Sequence, residues 1–152
     1  MKSTIETVKR VAEVKATYHS NEPINLTTIN SSQQVNSLIR EVFPVDIQHR
    51  EAFIALFLNR ANQILGYSII SIGGISSTLV DPKLIFQHAL LCNASQFIVA
   101  HNHPSGKLNP SNQDLSVTRR LQQVGELMEL PLIDHLIISN SGYKSFADEG
   151  LL

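Results

Sequence analysis

Residues 101–114 read HNHPSGKLNPSNQD. His101 and His103 are two apart, and side chains at i and i+2 of an extended segment share a face, so both imidazoles can converge on one point. The apolar run FIVA at 97–100 precedes them, which sets the pair at the exit of a buried strand. The loop that follows reverses the chain. Gly106 permits a positive φ, and Pro104 and Pro110 stiffen its two ends. Ser111-x-x-Asp114 then returns a carboxylate near the start of a helix. Two imidazoles and one carboxylate around Zn²⁺ leave one tetrahedral position open for water, the pattern of a catalytic rather than a structural zinc site. The metal reading therefore assigns His101, His103 and Asp114 to one zinc ion per chain. Each residue alone has a plainer explanation. A single histidine at a strand end is ordinarily a surface or core residue, and Ser-x-x-Asp is a helix-capping motif. The two readings are compatible, because Ser111 can cap the helix while Asp114 turns toward the histidines.

The flanking sequence supplies elements to hold such a site. VAEVKATY at 11–18 alternates apolar and polar residues at the period of a half-buried strand. The turn-rich stretch 20–32 leads to a helix capped by Ser31 or Ser32 and running to about Phe43, with Val35, Leu38, Ile39 and Val42 on one face. Pro44 stops it. EAFIALFLN at 51–59 is a near-continuous apolar strand, RANQ turns, and ILGYSIISIGG at 64–74 returns as a hairpin partner. Asp81-Pro82 opens a second helix, with Leu84, Ile85, Ala89 and Cys92 as its stripe. SQFIVA at 95–100 is a short buried strand. Ser111 starts a long helix to about Glu129, with Leu115, Thr118, Leu121, Val124 and Leu127 or Met128 directed inward. PLIDHLIIS at 131–139 is another strand, and Asn140-Ser141-Gly142 turns into YKSFAD. Roughly six strands and three helices, interleaved, describe an α/β fold with a mixed sheet and helices on its faces.

Bulk properties bound the function. A chain of 152 residues with 43% hydrophobic content suits one globular domain with its own core. A formal charge of −1 provides no basic field for non-specific phosphate binding, so charge does not support nucleic acid as a partner. The single cysteine, Cys92, sits in an apolar stretch and reads as a buried thiol of a reducing, cytoplasmic setting. No apolar run reaches the ~18 residues of a membrane span, and the N-terminus lacks a signal-peptide core.

With those residues in view, the chain resembles the RadC branch of the JAMM (MPN+) metalloproteases. His101, His103, Ser111 and Asp114 match the JAMM signature, and HNHPSG followed by PS-x-x-D, with Asn102 between the histidines, looks like RadC specifically. The hairpin, the stretch from Gly66 through Gly106, and TRRLQQVGELMELPLIDHLII are similar to RadC throughout, so the likeness covers about residues 30–150. The expected organisation is an N-terminal extension with one strand at 1–30 and a RadC-like JAMM domain at 31–152. The resemblance implies a three-layer α/β/α architecture of the cytidine-deaminase-like type. It also implies a short form without the helix-hairpin-helix region of longer RadC proteins. Lys107 stands where RadC loops usually carry an acidic residue, which changes the charge at the mouth of the site.

The family further implies a catalytic glutamate on an upstream strand. The matching position is Glu51, which opens EAFIALFLN; its type and spacing alone would not single it out. The expected chemistry is hydrolysis of a peptide or isopeptide amide in a peptide or protein substrate. Glu51 acts as general base and then acid, and the Ser111 hydroxyl hydrogen-bonds the developing oxyanion or the attacking water. His135 matches a position that recurs in RadC; it is a partner of the metal ligands, a substrate contact, or a core histidine bonded to a backbone carbonyl. Asp134 beside it faces the other side of the strand. Two other functions compete: a DNA-repair-associated, metal-dependent nuclease, and a zinc-stabilised module that binds a protein without catalysis. A zinc deaminase is set aside, because it needs H-x-E and a P-C-x-x-C pair, whereas this chain has His103 at the third position and one cysteine. Oligomeric state is not legible.

Overall fold

The computed structural model describes residues 14, 15, 17, 18, 26–73 and 80–152. Its elements run α1 (Ser32–Val42), β1 (Ala52–Leu58), β2 (Ile64–Ile72), α2 (Pro82–Leu91), β3 (Gln96–Asn102), α3 (Asn112–Leu127), β4 (Leu132–Ser139) and β5 (Gly142–Ser145). The five strands form one sheet in the order β2-β1-β3-β4-β5. Only β3 and β4 pair in parallel; the other neighbours are antiparallel, so the sheet is mixed. Half of the strand expected at 11–18 lies outside the described residues, and residues 14, 15, 17 and 18, which are described, are not in a strand.

Strand β1 is an interior strand, flanked by β2 and β3, which explains its unbroken apolar sequence: all seven of its residues are buried. Alternation splits them between two cores. Phe53, Ala55 and Phe57 join Phe97 and Val99 of β3 against α2 and α3, through Ile85, Phe86, Ala89 and Leu121. Ile54, Leu56 and Leu58 join Ile98, Ala100, Leu136 and Ile138 against Val35 and Ile39 of α1. Helices thus cover both faces, giving the three-layer α/β/α arrangement. The ends of the helices follow local chemistry. Ser31 caps α1 by accepting from the Gln34 N–H, and Asp81 caps α2 by accepting from Lys83, with Pro82 in the first turn.

Three expectations, two about inward faces and one about a strand end, need correction. On α2, Leu84 is 38% exposed, and Phe86 takes its place in the core. It packs edge-to-face on Phe97 at 5.4 Å. On α3, Leu127 and Met128 are exposed, at 85% and 38%. The helix stops at Leu127, Glu129 adopts a φ of 55°, and the chain doubles back. Leu130 and Leu132 then fill the core that the extra helical turn was expected to reach. Finally, β3 extends two residues past Ala100, so His101 lies within the strand rather than in the loop.

Buried Gly125 makes the doubling-back fit. A Cβ there would lie 2.4 Å from the Leu130 carbonyl oxygen, and the Leu130 N–H bonds the Gly125 carbonyl at 2.8 Å. Helix propensity alone favours alanine over glycine by ~1 kcal/mol. The obstruction is backbone, so overpacking of about 1–3 kcal/mol outweighs that gain. Gly125→Ala is therefore expected to lower the urea midpoint of unfolding, whereas a midpoint that rises would show that the turn yields freely.

Candidate metal centre

The parallel pairing of β3 with β4 continues one step past the strand end, where the His103 N–H bonds the Ile138 carbonyl at 2.9 Å. That step keeps the backbone extended from His101 to His103, so the two rings share a face. Past His103 the chain turns. Gly106 sits at φ 83°, and its N–H bonds the His103 carbonyl at 3.0 Å. The loop returns to α3, whose first turn is closed by a capping box. The Ser111 hydroxyl oxygen accepts from the Asp114 N–H at 3.1 Å, and Asp114 Oδ2 accepts from the Ser111 N–H at 2.6 Å. Capping therefore also aims the carboxylate at the strand end.

His101, His103 and Asp114 are thereby brought together, each offering a ligand atom within 4.8 Å of the others. His101 Nε2 lies 3.0 Å from His103 Nε2 and 3.0 Å from Asp114 Oδ1. His103 Nε2 lies 3.3 Å from Asp114 Oδ2. Zinc bonds of roughly 2.0–2.1 Å at tetrahedral angles put neighbouring ligand atoms about 3.3 Å apart, so these edges suit that ion.

The donor chemistry agrees. His103 Nδ1 is 2.7 Å from the Lys107 carbonyl oxygen, which only accepts, so Nδ1 carries a proton. In the neutral ring Nε2 is then a bare lone pair, facing an imidazole and a carboxylate. Such a set demands positive charge in its midst. With protons as the only source, the hydrogen bond to Asp114 raises the His103 pKa, opposed by desolvation and helped by the Lys107 carbonyl. Burial alone would raise Asp114, but hydrogen bonds from His101 and His103 outweigh it and hold the carboxyl well below the usual carboxylate range. The residues present fit a divalent cation. The contribution of Lys107 is its backbone carbonyl, which is independent of its side-chain charge.

Glu51 and Ser111 line the same cavity as His101, His103 and Asp114, a space of about 500 Å³ walled also by Phe53, Val80 and Val117. Glu51 directly precedes β1 and adds to the field that raises His103. His135 is fully buried, and burial holds its pKa well below the ordinary value. Its Nε2 is 2.8 Å from His101 Nδ1, and its Nδ1 is 2.7 Å from Thr118 Oγ1. It contacts a ligand residue directly and is not bonded to a backbone carbonyl. Asp134 does face the opposite side. There it accepts from the Ser145 hydroxyl at 2.6 Å and the Ala147 N–H at 3.0 Å, pinning the C-terminal segment.

Two contributors went unassigned in the sequence. Thr118 looked like a core position only. Asn102 was noted as the residue between the histidines, but its task was not seen. Alternation turns its fully buried side chain away from the imidazoles. It accepts from the Ala52 N–H at 2.8 Å and donates to the Ile47 and Arg50 carbonyls, both at 2.8 Å. Those bonds bracket Glu51. The signal available was a polar residue with alternate-face geometry inside an otherwise apolar strand.

The comparisons with known proteins agree with this geometry. The model of the family described as RadC-like JAB domain matches residues 29–151. A UPF0758 protein of Flavobacterium johnsoniae is 38% identical over 128 residues, covering 84% of this chain and 55% of the relative. One from Thermosynechococcus vestitus is 38% identical over 144 residues, covering 93% and 56%. One from Protochlamydia amoebophila is 41% identical over 124 residues, covering 82% and 53%. The chain spans about half the length of these curated relatives. The family match from residue 29 to residue 151, set beside the strand-end imidazoles and the capping-box carboxylate, leads to one assignment: this chain belongs to the RadC-like JAB domain family.

Proposed function

We propose that the chain is a zinc-dependent hydrolase of peptide or isopeptide amides in a peptide or protein substrate, working in the cytoplasm. The observation that carries the reading is the convergence of His101, His103 and Asp114 on the floor of a cavity also lined by Glu51 and Ser111. The three residues would hold Zn²⁺, which when bound supplies Lewis-acid polarisation of the carbonyl and acidifies water. The geometry serves amides in general, and family membership favours peptides among them. Among the described residues no helix is long and apolar enough to cross a membrane.

The protein's own groups divide the remaining work. Glu51 accepts a proton from the attacking water and delivers it to the leaving amine nitrogen. The Asn102 clamp on Ile47, Arg50 and Ala52 holds that carboxylate's backbone in place. Ser111 caps α3 with an oxygen lone pair, a bond that does not use its hydroxyl proton. That proton is directed to the oxygen that gathers negative charge as the carbonyl is attacked. Phe53 stacks on His101 with ring centroids 5.9 Å apart and planes within 12°. With Val80 and Val117 it limits water around the reacting atoms.

Elemental analysis together with a peptide and ubiquitin-like isopeptide cleavage screen tests the proposal. Asp114→Ala should lose bound zinc. Glu51→Gln should keep zinc and lose about 10²–10⁴-fold in kcat; full activity in that variant would remove Glu51 from the mechanism. Zinc binding without cleavage of any substrate would favour the non-catalytic module. Asn102→Ala should retain zinc yet lower kcat, because it frees the segment bearing Glu51; unchanged kcat would show that the clamp is unrelated to catalysis.

Acidity supplies an independent check. His103 has a raised pKa in the metal-free fold, so its pairing with Asp114 stabilises fully below about 6.5 and is lost as pH rises through the raised value. Zinc needs the neutral imidazole, so its affinity grows over the same interval. The zinc-induced increase in Tm should therefore widen from pH 6 to pH 8; an increase that shrinks over that range would contradict ligation by His103.

A further inference from the structure

We infer that Thr118 and His135 are positioning residues that fix the tautomer of His101, so that its Nε2 always presents a lone pair to the cation. This rests on the metal reading above. It starts from an atom with no freedom. Thr118 Oγ1 lies 2.7 Å from the Asp114 backbone carbonyl, and a carbonyl oxygen only accepts, so the single hydroxyl proton is committed there. The same oxygen is 2.7 Å from His135 Nδ1. With its proton spent, Thr118 offers only a lone pair, and His135 Nδ1 must carry the hydrogen. The His135 ring is fully buried and bonded at both nitrogens to a hydroxyl and another imidazole, surroundings that keep it uncharged. Its Nε2 is therefore bare and accepts from His101 Nδ1, 2.8 Å away. A neutral His101 with its hydrogen on Nδ1 has its lone pair on Nε2, the atom 3.0 Å from Asp114 Oδ1.

The chain of donors runs in one direction, from His101 to His135 to Thr118 to the Asp114 carbonyl. It begins and ends at metal-ligand residues, so α3, β4 and β3 are tied into one ring. Metal-bound histidines usually lean on a carboxylate, a carbonyl or water, and such partners set ring orientation and ligand strength. Here the partner is a neutral imidazole, which orients His101 without adding a second negative charge beside Asp114. Removing the Thr118 hydroxyl would leave His135 free to move its hydrogen to Nε2. It would then donate to His101 Nδ1 and drive the hydrogen of His101 onto Nε2, where it blocks the cation.

Long-range ¹H–¹⁵N spectra of the histidine rings test this on the full chain, together with zinc affinity measured by competition with a chromophoric chelator. In the wild type His101 and His135 should both show hydrogen on Nδ1. Thr118→Val should weaken zinc about 10–100-fold and give mixed ring tautomers in the metal-free protein, and Thr118→Ser should restore both. Hydrogen on Nε2 of His135 in the wild type would overturn the inference. So would Thr118→Val with unaltered zinc affinity and ring spectrum. If Thr118→Val does not fold, the wild-type spectrum alone decides. If the wild type takes up no zinc, the metal reading falls, and the proton order is still read from the metal-free rings.

Discussion

Lone pairs held close together repel unless positive charge lies among them. Two imidazole nitrogens and a carboxylate oxygen pair stand 3.0–3.3 Å apart here, a spacing that is costly in a partly buried place without a cation or extra protons. The rest of the molecule holds that spacing against the repulsion. Strand β3 is locked between β1 and β4, so His101 cannot retreat. The capping box fixes Asp114 through two hydrogen bonds, and the Lys107 carbonyl fixes the ring of His103. Each restraint comes from backbone or from a short polar side chain with few rotamers, which limits the entropy lost in ordering the site.

Position along β3 decides which job each residue of the His-Asn-His triplet does. The period of two sends the imidazoles to the cavity and the amide to the opposite face. One strand end thus organises both the clustered imidazoles and the segment that carries the carboxylate of Glu51. The parallel step from β3 through α3 to β4 adds a second economy. It lays the N-terminus of α3 across the exit of β3, the place where open α/β sheets gather their ligands.

The layers, the helix starts and the clustering of His101, His103 and Asp114 were legible in the sequence because each rests on local chemistry: alternation, caps, and proline and glycine at turns. The hidden parts are those that depend on distant backbone. Leu127 fits the stripe of α3 by periodicity, yet the tight return through Glu129 and Leu130 ends the helix at that residue and leaves its side chain exposed. Phe86 takes the place expected for Leu84, packed on the ring of Phe97 on the same face of the sheet. Glu51 has no local mark at all, and only likeness to a family pointed to it. Thr118 and His135 are far apart in sequence, and their contact exists only once α3 lies over β4. The hydroxyl of Thr118 was invisible as a hydrogen-bonding group because threonine also fits an apolar stripe.

One loop contact separates what can drift from what cannot. His103 is braced by the main-chain oxygen of Lys107, an atom that every amino acid supplies. The lysine side chain is thereby released from duty toward the histidine, and mutation at this position can retune the charge at the rim while the brace on His103 persists. Descendants of such a scaffold could vary the rim freely with the three-residue cluster below it left undisturbed.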